Sequence, residues 1–466
     1  MRLIVVIIIQ LIVNWIFTKL NGQNVRHVYS IVTGAFLQYL MYREGVLDFM
    51  KVIVLSYLAM RLSPRKYVHF SVFAVSFSFL SYLHIKRMIE DYGGWRVDTA
   101  TQCMVLVLKV TSVGFAYRDG MYQKGYEEEL FPHQIQARIM TIPSLMEFFS
   151  YCYSCCGCLL GPYFEYKDYI NMIERKEHYQ NVPNTILASL KTWGQGMLLL
   201  VGFAGVGMTL PQNYVFSEEF GNQNMLYKIV YTYLSFSSRR FQFYAAFRLL
   251  ESTCIASGLG FNGYKNNVAQ WDRVIGGFAW ICETESDPAI VLKVIINHFN
   301  LQIQQHWNYS IHVWLKNQIF FRSLKKNGGK PTFNTNLTVM LVSALWHGFY
   351  PIYYIVFIQL ALLVELSKDC GRYQSTINKY IPSPKVRYLL SQLFTKLIYC
   401  FILMNHFALL LEKAWQGSRN ISFFPIIMLI TFFLGFKFVV PRFATPDTQQ
   451  PKGRKSQIEE DTKKTK

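Results

Sequence analysis

Apolar stretches long enough, or nearly long enough, to cross a lipid bilayer recur through this chain. They lie near residues 3–17, 28–41, 46–60, 67–85, 99–116, 141–163, 187–210, 226–237, 289–321, 337–366, 389–411 and 421–440. About 20 apolar residues at a rise of about 1.5 Å match a hydrocarbon core of about 30 Å. In that medium every backbone donor and acceptor must be satisfied within the protein, which leaves helices or closed barrels. The runs are continuous and lack the alternation of barrel strands. The expected fold is all-α, a polytopic transmembrane helical bundle of about ten spans enclosing a buried reaction chamber. Segments broken by Gly, Pro or charge are expected to be re-entrant or buried among other helices. With 16% charged residues, the chain falls well below the roughly one quarter usual in soluble domains.

The first segment, MRLIVVIIIQLIVNWIFTKL, has a basic residue, Arg2, before an apolar core, as a secretory signal does. No small-residue cleavage site follows, so it reads as a retained helix. The formal net charge of +19 is spread over connecting segments. Basic loops beside spans are what cytoplasmic orientation and anionic lipid leaflets require, and nucleic-acid binding is not expected. Residues 1–440 read as a single membrane domain and 441–466 as a disordered basic tail, because TPDTQQPKGRKSQIEEDTKKTK has almost no apolar side chain.

The tail ends in Lys463, Lys464, Thr465 and Lys466, which resembles the dilysine signal that retrieves membrane proteins to the endoplasmic reticulum. It implies a cytosolic tail, a multi-pass protein of that membrane, and retrieval machinery as a partner. A cytosolic tail puts the basic 367–388 connection in the cytosol and 412–420 in the lumen. Counting 337–366 as one span then puts Lys325, Lys326 and Lys330 in the lumen, which the positive-inside tendency disfavours.

Cys152, Cys155, Cys156 and Cys158 cluster in YCYSCCGC. The surrounding run is apolar and lacks paired zinc-knuckle spacing, so these read as small buried core residues and no metal is expected.

His347 stands within the apolar run 337–366, in VSALWHGFY, and Asn308 within another, in HWNYSIHVWLK. Polar residues at membrane depth face protein or a water-filled cavity and mark functional positions by default. A turn near 322–336 would bring both to similar depths on antiparallel helices, roughly 21 and 16 Å from it. A neutral imidazole accepts a proton, and an amide beside it can orient the ring or hold an oxygen. That pairing suits a general base acting on a hydroxyl, a proton relay, or a structural contact to a helix carbonyl. Asn308, Asn336 and Asn420 each open a formal glycosylation sequon. Asn308 lies too deep to be glycosylated; the other two flank spans.

Four ordered blocks from about Pro143 to Glu365 resemble the membrane-bound O-acyltransferase family. HWNYSIHVWLK followed by SALWHGFYPIYY is similar to its Trp-Asn and Trp-His-Gly hallmarks. PSLMEFFSYCY and GPYFEYKDY are similar to its upstream blocks, through Pro143, Ser144, Leu145, Glu147, Gly161, Pro162, Phe164 and Tyr166. RRFQFYAAFRLLE resembles a further block, with Phe247 at a position that is usually tryptophan-like.

Within the family these blocks look most like the lysophospholipid acyltransferase branch, above all its lysophosphatidylinositol members, while WNYSIHVWLK is also similar to the serine and ethanolamine enzymes. The resemblance implies acyl transfer from acyl-coenzyme A, as co-substrate and with no cofactor, to the free glycerol hydroxyl of a lysophospholipid. It implies His347 as base and Asn308 as positioning residue. Trp307, Trp314, Trp346 and Tyr350 are candidates for the chamber wall, and Lys167, Arg239 and Arg240 for the coenzyme. A lipid transporter or scramblase would also bury His and Asn among helices, and is the alternative.

Overall fold

The computed structural model describes residues 2–122, 130–277, 307–326 and 331–447. The tail from 448, with its dilysine ending, Lys330 and most of the 289–321 run lie outside the described residues. The first half is built of α1 (Arg2–Phe17), α2 (Gln23–Tyr42), α3 (Gly45–Leu62), α4 (Val68–Glu90), α5 (Thr99–Asp119), α6 (Pro132–Ala137), α7 (Leu145–Cys152), α8 (Tyr166–Glu174) and α9 (Ile186–Thr209). Short α10 (Glu218–Gly221) and long α11 (Met225–Ala256) follow. The strands β1 (Tyr264–Lys265) and β2 (Val268–Ala269) form a minimal hairpin. Asn266 and Asn267, both at positive φ, turn it.

Beyond it come α12 (Tyr309–Trp314), a π-helical turn (Leu315–Phe320), α13 (Phe321–Lys326), α14 (Phe333–His347) and α15 (Pro351–Arg372). The chain ends with α16 (Gln374–Tyr380), α17 (Pro384–Ala408), α18 (Leu411–Asn420), α19 (Phe424–Leu434) and α20 (Val440–Phe443). The protein is an all-α, polytopic membrane bundle. Among the described residues six helices are long and apolar enough to span a bilayer: α4, α5, α9, α15, α17 and the stretch from α19 through α20.

The spans divide by what covers them. α5 is buried along almost its whole length and forms the axis against which α3 and α4 pack. α9 and α19 leave most of their apolar surface open; Leu187 is 80% and Met208 78% exposed. Helices that are apolar all round and uncovered need a hydrocarbon solvent.

The apolar segment 141–163 does not form a spanning helix. It makes the eight-residue α7, capped by Ser144 and Glu147, then an irregular buried loop carrying the cysteines. Side chains from neighbouring helices satisfy that loop's carbonyls, as backbone at membrane depth requires. Gln10 and Asn14 of α1 donate to the Cys155 carbonyl at 2.7 and 3.3 Å, and Gln38 of α2 donates to that of Cys158 at 3.1 Å. Thr253 of α11 donates to the Cys156 carbonyl at 2.8 Å. Lys109 of α5, fully enclosed, donates to the last carbonyls of α7, Tyr151 and Cys152. The four cysteines are free thiols packed in this core.

The run 337–366 breaks at Gly348, so α14 and α15 form a helix hairpin instead of one span. The break reverses the chain and returns residue 333 to the end of the bundle where α15 finishes. Asp447 marks that end, its amide donating to the Arg372 carbonyl and its carboxylate accepting from the Ser375 amide. Lys325, just before α14, therefore lies on the tail side, and the conflict with the positive-inside tendency disappears. Ordered chain also runs past the expected boundary at 440, through α20 to Asp447. Asn336 is buried, as is Asn420, whose amide donates to the Val215 and Ser217 carbonyls, so neither sequon is open to a glycan.

Candidate active site

His347 is the last residue of α14, and the tripeptide around it is clamped from two sides. His84 of α4 donates from Nε2 to the Trp346 carbonyl at 3.1 Å, and Trp346 Nε1 donates to the Met104 carbonyl of α5 at 2.7 Å. Gly348 ends the helix at φ +119°, where an added Cβ would meet the His84 ring at 3.1 Å. Only glycine combines that backbone angle with so close a neighbour.

The ring of His347 lies among Trp346, Phe357, His406 and Tyr353, at centroid distances of 4.9, 5.1, 5.5 and 5.6 Å. It makes no hydrogen bond with any described residue, is half-buried, and neither ring nitrogen is sealed from accessible space. An imidazole next to a tryptophan that α4 and α5 hold in place, with neither nitrogen bonded to a described residue, can accept a proton or a ligand.

Depth follows from α15. Glu365 and Asp369, paired with Lys368, Lys437 and Arg372, mark where that helix meets the polar boundary on the tail side. From there to Pro351 the helix runs 14 residues, roughly 21 Å, which carries the hairpin tip toward the opposite side of a core of about 30 Å. The connection 91–98 covers this end. Gly93 donates its amide to Tyr350 Oη at 2.8 Å, and Trp95 Nε1 donates to the Phe407 carbonyl at 3.0 Å.

Asn308 caps α12 in the left-handed region, at φ 44° and ψ 60°, a conformation asparagine tolerates. Its carbonyl accepts from the amides of Ile311 and His312, while its side-chain amide is half-buried and bonds to no described residue. Neighbours fix the turn: Tyr309 donates its amide to the Gly276 carbonyl, and Ser310 Oγ accepts from the Tyr163 amide at 3.2 Å. Trp307 packs among Phe243, Tyr244 and Phe247 of α11. From Trp307 ring contacts continue through Phe243 to Phe407, next in sequence to His406, which faces His347. One aromatic tract thus joins the surroundings of the two polar residues.

The other expected site residues fall around this tract or behind it. Gly161, at φ +97°, and Pro162 turn the loop that Ser310 holds. Phe164 and Tyr166 pack edge-on against Tyr151, whose hydroxyl donates to the Phe164 carbonyl at 2.6 Å. Glu147 closes the cap of α7 with Ser144. Trp314 is completely enclosed, against Phe77. Arg240 is buried on α11 beside Tyr244, and Arg239 lies over the Phe407 ring at 4.6 Å. Lys167 is half-buried on α8.

Tyr353, Phe357 and His406 are neighbours of His347 that the sequence reading missed. A signal for His406 was present, since it too is an imidazole in an apolar run. Among the described residues no three His, Cys, Asp or Glu side chains are placed to hold a metal ion.

A family model described as MBOAT, membrane-bound O-acyltransferase family, matches residues 91–411. Lysophospholipid acyltransferase 2 of Arabidopsis thaliana is 28% identical over 429 residues, covering 89% of this chain and 88% of that protein. Membrane-bound glycerophospholipid O-acyltransferase 2 of Rattus norvegicus is 29% identical, covering 74% of this chain and 66% of its own. The lysophospholipid acyltransferase of Saccharomyces cerevisiae is 27% identical, over 81% and 64% respectively.

Proposed function

The chain belongs to the membrane-bound O-acyltransferase family, and from that premise we propose that it is an acyl-coenzyme A-dependent lysophospholipid acyltransferase. It moves a fatty acyl group to the free glycerol hydroxyl of a lysophospholipid, with lysophosphatidylinositol the preferred acceptor, in the endoplasmic reticulum membrane. The observation that carries the reading is the His347 ring, positioned through the neighbouring Trp346 and with neither nitrogen bonded to or sealed by a described residue. The names of the relatives support the substrate class, and the resemblance of PSLMEFFSYCY and GPYFEYKDY supports the head group.

His347 removes the hydroxyl proton as the oxygen attacks the thioester carbonyl. Asn308, whose amide bonds to no described residue, holds the acceptor oxygen or the thioester carbonyl. The C–O bond forms, the C–S bond breaks and coenzyme A leaves as its thiol. Thiolate is a good leaving group, so positioning and exclusion of water carry much of the rate. Trp307, Trp346 and Tyr350 wall the tract that receives the acyl chains.

The test is a panel of lysophospholipids, differing in head group, offered with several acyl-coenzyme A species to membranes containing the protein. Diacyl product and released thiol appear in equal amounts, fastest with the inositol lipid. Lipid crossing the membrane without thiol release would favour a transporter instead, and a faster choline, ethanolamine or serine lipid would move the head-group assignment.

A further inference from the structure

His406 is the other histidine of this site, and the mechanism above leaves it idle. It stands in the last turn of α17, on a different helix from His347, with ring centroids 5.5 Å apart and ring planes at 86°. At that separation the two rings are neighbours, and a small rotation of either brings a nitrogen of one toward a nitrogen of the other. Like His347, His406 makes no hydrogen bond with any described residue, is half-buried, and neither of its nitrogens is sealed. Among the described residues its ring is positioned by packing, against Tyr353 at 5.1 Å and Trp95 at 5.7 Å. Tyr353 also touches His347, so one aromatic ring fixes both imidazoles.

A histidine kept only for packing loses nothing when its nitrogens are paired with a neighbouring carbonyl, as His84 shows a few residues away in space. His406 nitrogens that the described protein leaves unpaired but accessible are available to water, a ligand or a transferred proton. The acyl transfer also releases a proton on one side of the reacting carbonyl and needs one on the other. We propose that His406 is the second proton carrier of this site, protonating the departing sulfur. His347 takes the proton from the acceptor hydroxyl as its oxygen bonds to the acyl carbon. That proton passes to His406, whose other nitrogen delivers it to the sulfur as the C–S bond breaks. Hydroxyl and thioester become ester and thiol, and both imidazoles return neutral. The assignment rests on the acyl-transfer reading.

The experiment measures steady-state turnover, by thiol release, in full-length His406→Phe, His406→Gln and His347→Phe protein in membranes, with the thermal melt of each purified variant as a fold check. His406→Phe keeps a ring between Tyr353 and Trp95 but carries no proton; His406→Gln keeps hydrogen bonding but does not titrate. Both are expected to lose on the order of 10²-fold in kcat, with KM for donor and acceptor unchanged and the melt retained. Wild-type kcat in either variant overturns the assignment, as does a rise in KM alone, which marks a substrate contact. If one variant melts early, the other decides. Wild-type kcat in His347→Phe would instead remove the base itself, a failure separable from that of His406.

Discussion

Asn308 and His347 share an unusual state for polar side chains in an apolar bundle: their backbones are tightly held and their side chains are not. Lys109 shows the opposite case. Its ammonium is fully enclosed and spent on the end carbonyls of α7. Lys109→Met is therefore expected to destabilise the protein by about 2–4 kcal/mol, since two carbonyls lose a charged donor, and to lower the thermal melt in detergent. Asn308→Ala should lower the melt only modestly, by the strain of an alanine in the left-handed region, while kcat falls at least about 10²-fold. An Asn308→Ala protein that melts early and turns over normally would assign that amide to structure. At this scale the sequence singled out Asn308 and His347 because their polarity stands out against an apolar background. Trp314 is one of four aromatics that could line the chamber or simply pack in the bundle, and it lies enclosed against Phe77 of α4, a contact distant in the chain.

Helices carry two features that hydropathy does not register. A window that averages over residues passes straight through Gly348, so 337–366 looked like one span. A single glycine at positive φ, with His84 against it, makes it a hairpin. The segment 141–163 was likewise too apolar to reveal its irregular loop. The signal lay elsewhere, in Gln10, Asn14 and Gln38, amides with no reason to sit in apolar helices unless they serve a buried backbone. At the end of α5, Asp119 is almost fully buried and receives both terminal nitrogens of Arg322 from α13, at 2.9 and 2.6 Å, and Gln134 from α6 at 3.0 Å. Bidentate pairs of this kind hold elements in register. Arg322→Ala removes the bidentate partner and leaves the carboxylate to Arg118 at 3.3 Å and to Gln134, and should cost about 1–3 kcal/mol, whereas the double change Asp119→Asn, Arg322→Gln should recover part of that loss. Chemical or thermal unfolding of the three variants measures it; equal loss in single and double variants would deny the pair its coupling.

For the whole molecule, the bundle class followed from apolar run lengths, while the pairing of its helices did not, because contacts such as α1 on α11 or α11 on α17 join segments distant in the chain. The structure fixes relative sidedness. α15 spans the membrane, its start tied to the 91–98 connection through Tyr350 and its finish tied to Asp447. Cysteines introduced at Tyr92 and Asp447 should therefore react with a membrane-impermeant maleimide from opposite sides of sealed vesicles, and labelling of both from one side would contradict this topology. The central claim, however, concerns a single ring. In membranes supplied with lysophosphatidylinositol and an acyl-coenzyme A, thiol release by His347→Gln is expected to fall on the order of 10²–10⁴-fold below wild type, with the thermal melt retained. Release at the wild-type rate from that folded variant would contradict it.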